Sequence, residues 1–152
     1  MSPTPEQDFA RLLRTGSVLS AAELNASLRL IWPSLRAPQR TYPASDLVAL
    51  FRRAGYVSDG LPEPAQALLV YRGELTGNAD PGISWTTDPQ IARRYAQGYA
   101  TVGDTRVMRA AAPRDTILAR FQHDAEVVLV PELLMDAECL GFIPRFQLPA
   151  LR

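Results

Sequence analysis

Three short segments carry residue types that could bind a charged substrate and act on it. In the first, residues 69–73, an Arg ends an apolar run, and its planar guanidinium suits a diphosphate. Gly73 would let a ligand approach the backbone. By strand alternation Arg72 should face away from Tyr71, on the side of Val70. The structural alternative is an Arg that pairs with an acid, beside a Gly that only turns the chain.

The second segment, residues 82–88, has two hydroxyls spaced for one face of a strand. Ser84 and Thr86 would share that face, and Trp85 would lie in the core on the other. Such hydroxyls can hold a carboxylate or a ribose in place. The alternative is a plain strand edge that leads into a helix N-cap at Asp88.

The third segment places two acids directly before an apolar run. Asp124 and Glu126 are two residues apart, so an extended chain would put both carboxylates on one face. An acid at the mouth of a buried strand is costly unless it is paired or used. The alternative is a solvated acid pair, and His123 is expected to be half-exposed beside it.

Hydrophobic spacing predicts the scaffold that positions these segments. Helices are expected around residues 9–13, from the Ser20 capping box to Pro33, and from about Ser45 to Gly55 or Gly60. Strands are expected over residues 67–72, 82–86, 105–110, 116–121, 125–130 and 140–146, with one helix after Asp88-Pro89. Strands and helices do not alternate regularly, so the predicted class is α+β. An N-terminal helical region (1–62) precedes a mixed or antiparallel β core (63–152) in one compact domain.

In chain order the segments read aromatic-Arg-Gly, Ser-x-Thr and Asp-x-Glu, with a helix after the second. This order resembles the mono-ADP-ribosyltransferase superfamily, in particular its Arg–Ser–Glu branch. The resemblance covers roughly residues 66–131, including the helix around Ala92 and Ala96 and the run from Glu126 to Pro131. It implies the ADP-ribosyltransferase fold and an enzyme with NAD as co-substrate. Such an enzyme cleaves the nicotinamide–ribose bond and transfers ADP-ribose to a protein acceptor, as a toxin or phage-borne effector would.

The resemblance also implies a role for each matching residue. Glu126 would be the catalytic carboxylate, bonded to a ribose hydroxyl, and Ser84 would position both Glu126 and that ribose. Arg72 would hold the diphosphate side of NAD. The backbone of Gly73 would bind the nicotinamide amide. Thr86 would be one of the NAD-binding residues and would brace the pair of strands.

Asp124 departs from the family pattern, which has Glu or Gln two residues before the catalytic Glu. Glu at this place goes with Arg acceptors, and Gln with Asn or Cys acceptors. Asp keeps the carboxylate on a side chain one methylene shorter. The resemblance therefore implies a catalytic role toward an acceptor, with Arg modification and plain NAD hydrolysis both open.

Composition excludes several classes of protein. The 152 residues include 16 Arg, no Lys and 16 acids, and a net charge of zero argues against nucleic-acid and membrane partners. With one Cys and one His, no metal site is expected. Cys139 is expected to be buried, and Tyr95, Tyr99, Phe121 and Phe142 to be core. The start of the chain does not look like a signal peptide, so a cytoplasmic location is expected, with delivery by a signal-independent route left open.

Three functional hypotheses follow. The first is the transferase or NAD glycohydrolase. The second is a catalytically inactive NAD- or protein-binding module of the same fold, because a fold does not guarantee a function. The third, an RNA-phosphate-processing relative, would need a positive cleft that the neutral total does not favour. In each case the helices of residues 1–60 could line the NAD cleft, dock the target protein or bind an inhibitor.

Overall fold

The computed structural model describes residues 2–78 and 82–146, and within them it has four α-helices and seven strands. The first three helices are α1 (Pro5–Thr15), α2 (Ala21–Ile31) and α3 (Ala44–Ala54). Capping boxes at Thr4 and Ser20 start α1 and α2, because each side chain and its partner three residues on satisfy two free backbone N–H groups. Gly55 ends α3 at a positive φ of 74° that favours glycine.

The seven strands form one mixed sheet. In chain order they are β1 (Val57–Ser58), β2 (Leu68–Leu75), β3 (Ser84–Thr86), β4 (Thr105–Ala112), β5 (Ile117–Phe121), β6 (Glu126–Leu129) and β7 (Met135–Ile143). Their order across the sheet is β1-β5-β6-β3-β2-β4-β7, and all neighbours are antiparallel except β1 and β5. The predicted α+β class is confirmed.

Alternate residues of β6 face two cores. Val128 packs with the N-terminal helices and Phe121, in a cluster that includes Leu24, Leu28 and Phe51. Val127 and Leu129 pack on the other face with Val70 and Trp85. The nearly continuous apolar run of β6 thus reflects burial on both faces. The helices and the sheet share one of these cores.

The helix α4 (Pro89–Tyr99) lies against β2, β3 and β4. Asp88 caps it as predicted, because its carboxylate accepts a bond from the N–H of Gln90. Ala92 and Ala96 supply the buried face of the helix. No helix among the described residues is both long and apolar enough to cross a membrane.

Some predictions of the sequence were wrong at the edges of the sheet. The first 62 residues include strand β1, and β7 begins at Met135 rather than near Leu140. Cys139 is exposed and Phe142 is 71% exposed, although both were expected to be buried. The reason is that β7 is the outermost strand beside β4, and eight of its nine residues are exposed.

Candidate functional site

Glu126 is the first residue of β6, and its carboxylate is held from two sides. Its Oε2 accepts a hydrogen bond from Ser84 Oγ at 2.6 Å and another from Trp32 Nε1 at 3.1 Å. Burial raises the pKa of Glu126 above its ordinary value. The two hydrogen bonds oppose that pKa rise because they favour the charged form. The site therefore holds a desolvated carboxyl group with two fixed donors.

The strand register explains why Ser84 reaches Glu126. Thr86 lies directly opposite Glu126, and Ser84 lies opposite Val128. Directly opposed residues share a face of the sheet, so both hydroxyls and the carboxylate lie on one face. The predicted alternation within residues 84–86 is confirmed, and Trp85 is buried on the other face.

Arg72 binds the backbone of the same serine. Its Nη1 donates to Ser84 O at 2.7 Å, and its Nε lies 3.5 Å from Glu74 Oε2. β2 and β3 share one residue pair, Tyr71 with Thr86, so the strands part beside Ser84. The Arg72 guanidinium thus donates to the Ser84 carbonyl at the point where β2 and β3 have no further paired residues. Arg72 is paired with an acid, which was the structural alternative for this residue.

Two glycines near Arg72 allow close approaches. A Cβ on Gly82 would lie 2.0 Å from Arg72 Cζ, so a larger residue there would push the guanidinium out of its present position. A Cβ on Gly73 would lie 2.1 Å from the carbonyl oxygen of Ala92, so α4 can pack closely on β2. Gly73 therefore has a packing role that the sequence did not indicate. Its predicted contact with nicotinamide stays a prediction.

Asp124 does not lie on a strand, contrary to the expectation from its spacing. It belongs to a short turn, His123–Ala125, and has a positive φ of 57°. Asp is one of the few residue types that visit this left-handed conformation readily. Its carboxylate Oδ2 accepts a hydrogen bond from Tyr95 OH at 2.6 Å. The two acids are thus neighbours in space, but a turn rather than strand alternation brings them together.

Thr86 fixes that turn to the sheet. Its Oγ1 donates to the carbonyl of Asp124 at 2.8 Å and accepts from the N–H of Asp88 at 3.1 Å. Thr86 is 6% exposed. Its hydroxyl therefore bonds to the turn and to the start of α4, and its expected places as a brace of the strand pair and in the NAD-binding set stay predictions.

Two further residues were missed by the sequence reasoning. Trp32 comes from the turn after α2, 94 residues before Glu126, and no local pattern links them. Tyr95 was expected in the core but is 47% exposed, because its hydroxyl reaches out to Asp124. The hydrogen bond to Asp124 raises the pKa of Tyr95. The sequence offered one signal for this position: Tyr95 lies about two helical turns after Asp88, so it should be on the side of α4 near the second segment.

The remaining candidates stand outside this arrangement. His123 is 78% exposed on its side chain, with Nε2 3.6 Å from Asp124 Oδ2. Within residues 2–78 and 82–146, no cluster of three His, Cys, Asp or Glu side chains could hold a metal ion. A depression of about 350 Å³ on the N-terminal helices, lined in part by Asn25 and Arg29, includes none of the site residues.

The geometry supports a specific chemistry. A partly buried carboxylate with fixed donors can stabilise a developing positive charge when water is excluded. A second, half-exposed carboxylate nearby can take a proton from an incoming group. Comparison of the chain with known protein families, with curated proteins and with solved structures finds no match.

Proposed function

We propose that this protein cleaves NAD at the nicotinamide–ribose bond and transfers ADP-ribose to a protein acceptor. The observation that carries the proposal is the hydrogen-bonded line from Arg72 through Ser84 to Glu126. Its two bonds measure 2.7 and 2.6 Å and join the three motifs on three strands. A solvated acid pair or an unrelated Arg would not require these residues to meet.

Each group of the line has a part in the reaction. The bond between ribose C1′ and the nicotinamide nitrogen breaks, and nicotinamide leaves as a neutral molecule with the bonding electrons. The ribose becomes an oxocarbenium-like cation, which an ionised Glu126 stabilises, as in glycoside hydrolysis. Ser84 holds the carboxylate, and Arg72 holds the Ser84 backbone beside the point where β2 and β3 part.

The acceptor completes the reaction at the other carboxylate. A nucleophile on the acceptor attacks C1′, and its proton passes to Asp124 and then to water. An Arg guanidinium would also pair with that carboxylate, which supports Arg as the acceptor class. With water as the nucleophile the product is free ADP-ribose, so the same site supports NAD glycohydrolase activity. The reaction needs no metal in this scheme.

The first test is nicotinamide release from NAD by the purified protein. Glu126→Gln keeps the size of the side chain and its acceptor oxygen but removes the charge, so release should fall at least about a hundredfold. Glu132→Gln makes the same change at an exposed site and serves as the matched control. Wild-type turnover in folded Glu126→Gln would contradict the catalytic role.

A binding module is the second candidate, and one observation favours it. Tyr95 already donates to Asp124, and Arg72 Nη1 already donates to the Ser84 carbonyl, so these groups have hydrogen-bond partners within the protein, whereas Arg72 Nε has no such partner among the described residues. Calorimetry with NAD separates the candidates. Binding without nicotinamide release, with and without a guanidinium acceptor such as agmatine, would favour the module over the enzyme.

A further inference from the structure

Trp32 links the N-terminal helices to the carboxylate of Glu126. It starts the short turn Trp32–Ser34 directly after α2, where Pro33 follows it. Its indole Nε1 donates to Glu126 Oε2 at 3.1 Å. An indole N–H can only donate, so a buried Trp needs an acceptor, and here that acceptor is the candidate catalytic carboxylate.

The indole is held tightly by its neighbours. It is 3% exposed and makes edge-on contacts with two aromatic rings. The ring centroids lie 6.0 Å from Phe9 and 4.9 Å from Phe51, on α1 and α3. All three N-terminal helices therefore help to fix the direction of one N–H bond. Such packing preorganises a donor at no further cost during a reaction.

Both donors to Glu126 bind the same oxygen. Ser84 and Trp32 each donate to Oε2, and no hydrogen bond from a described residue reaches Oε1. Two donors on one oxygen fix the rotation of the carboxylate about its last bond. The direction of Oε1 is fixed with it, and in the proposed reaction this oxygen would accept the hydrogen bond from a ribose hydroxyl.

We infer that Trp32 is a positioning residue for Glu126, so that residues 1–60 form part of the active site rather than only a docking surface. The functional part of this inference rests on the proposed NAD cleavage. The inference deepens that proposal because it names the element that orients the catalytic carboxylate. Of the roles that the sequence left open for the N-terminal helices, the inference assigns them that of lining the NAD cleft.

The pKa of Glu126 supplies a readout that depends on the Trp32 N–H bond as well as on burial. Burial and the nearby Asp124 charge raise this pKa, whereas Ser84, Trp32 and His123 lower it. Loss of the Trp32 N–H should therefore raise the pKa further. The acid limb of the activity profile should move to higher pH with it, because only the ionised form stabilises the ribose cation.

The sharpest test uses the wild-type chain, which has two Trp residues. In a ¹⁵N–¹H spectrum recorded against pH, the Trp32 indole signal should shift through one transition as Glu126 ionises. The Trp85 indole donates at 2.8 Å to the carbonyl of Gly82 and should not shift, which makes it the internal control. Glu126→Gln should abolish the transition. A Trp32 signal that does not titrate would overturn the inference.

Activity measurements test the functional half. Trp32→Phe should lower kcat for nicotinamide release about tenfold and move the acid limb upward, with a smaller change in KM for NAD. Leu24→Val weakens the same hydrophobic cluster at a residue that is not one of the aromatic partners of the indole, and it should leave the limb in place. A limb that both variants move equally would reduce Trp32 to a packing role. The wild type and all variants could instead fail to release nicotinamide while the indole signal still titrates. In that case Trp32 still positions Glu126, but the proposed NAD cleavage is wrong.

Discussion

Glu126 and Asp124 lie two residues apart, yet different kinds of structure hold them. Glu126 starts a strand that is paired on both sides, opposite Thr86 on β3 and Phe121 on β5. Asp124 lies in a turn with left-handed backbone, and its side chain is 32% exposed. One carboxylate is fixed by the sheet, and the other lies at its margin.

The donors to the two carboxylates differ in the same way. Glu126 is bound by Ser84 and by Trp32, both set in ordered and largely buried structure. Asp124 is bound by Tyr95, whose ring is half-exposed on α4. A carboxylate with rigid donors suits a fixed charge, whereas a carboxylate bound by an exposed phenol can exchange that partner for an incoming one. The comparison predicts a division of labour between NAD cleavage and acceptor chemistry.

The largest expected effect breaks this division at Asp124. Asp124→Asn removes the charge and keeps a residue that tolerates the left-handed backbone. If the proposed function holds, transfer of labelled ADP-ribose to an acceptor should fall about a hundredfold because the proposed base is lost, while nicotinamide release should fall much less. Asp136→Asn is the matched control, since Asp136 is also at a positive φ, 54°, and is exposed. Equal loss of transfer and release would show that the two acids do not divide the work.

A medium effect concerns stability at Glu126. Its pKa in the folded protein is raised above the ordinary value of 4.5, so the folded state holds the proton more tightly than the unfolded state. The stability that this proton contributes is present below pH 4.5 and is lost as pH rises through the folded-state pKa. Glu126→Gln should therefore raise Tm at pH 7 and raise it by less near pH 4. Calorimetric melting from pH 4 to 8 checks this, and a gain that does not vary with pH would contradict it.

The smallest expected effect concerns Tyr95. Tyr95→Phe removes the hydrogen bond to Asp124 and frees the carboxylate for an acceptor. The KM for a guanidinium acceptor should fall about fivefold, the equivalent of roughly 1 kcal/mol, with unchanged nicotinamide release. Tyr99→Phe makes the same change one turn along α4, where no hydrogen bond to Asp124 is made. A higher KM in Tyr95→Phe would mean that the phenol helps to bind the acceptor instead.

Local signals in the sequence determined the elements of this protein and their class. The capping box at Ser20, the Asp88 cap with Pro89 and the stop at Gly55 set helix ends, because these signals act within a few residues. Strand alternation placed Ser84 and Thr86 on one face. This prediction does not depend on which strands lie beside β3 in the sheet. The order of the three motifs was therefore readable before their contacts were known.

Only the tertiary structure decided which residues meet. The link from Trp32 to Glu126 spans 94 positions and depends on how three helices pack on the sheet, which no local pattern encodes. The left-handed turn at Asp124 replaced the expected strand, because Thr86 and Tyr95, distant in sequence, hold that turn in place. The exposure of Cys139 and Phe142 likewise follows from the place of β7 at the sheet edge. Hydrophobicity alone shows that a side chain can be buried, but the neighbours that bury it are set by the whole fold.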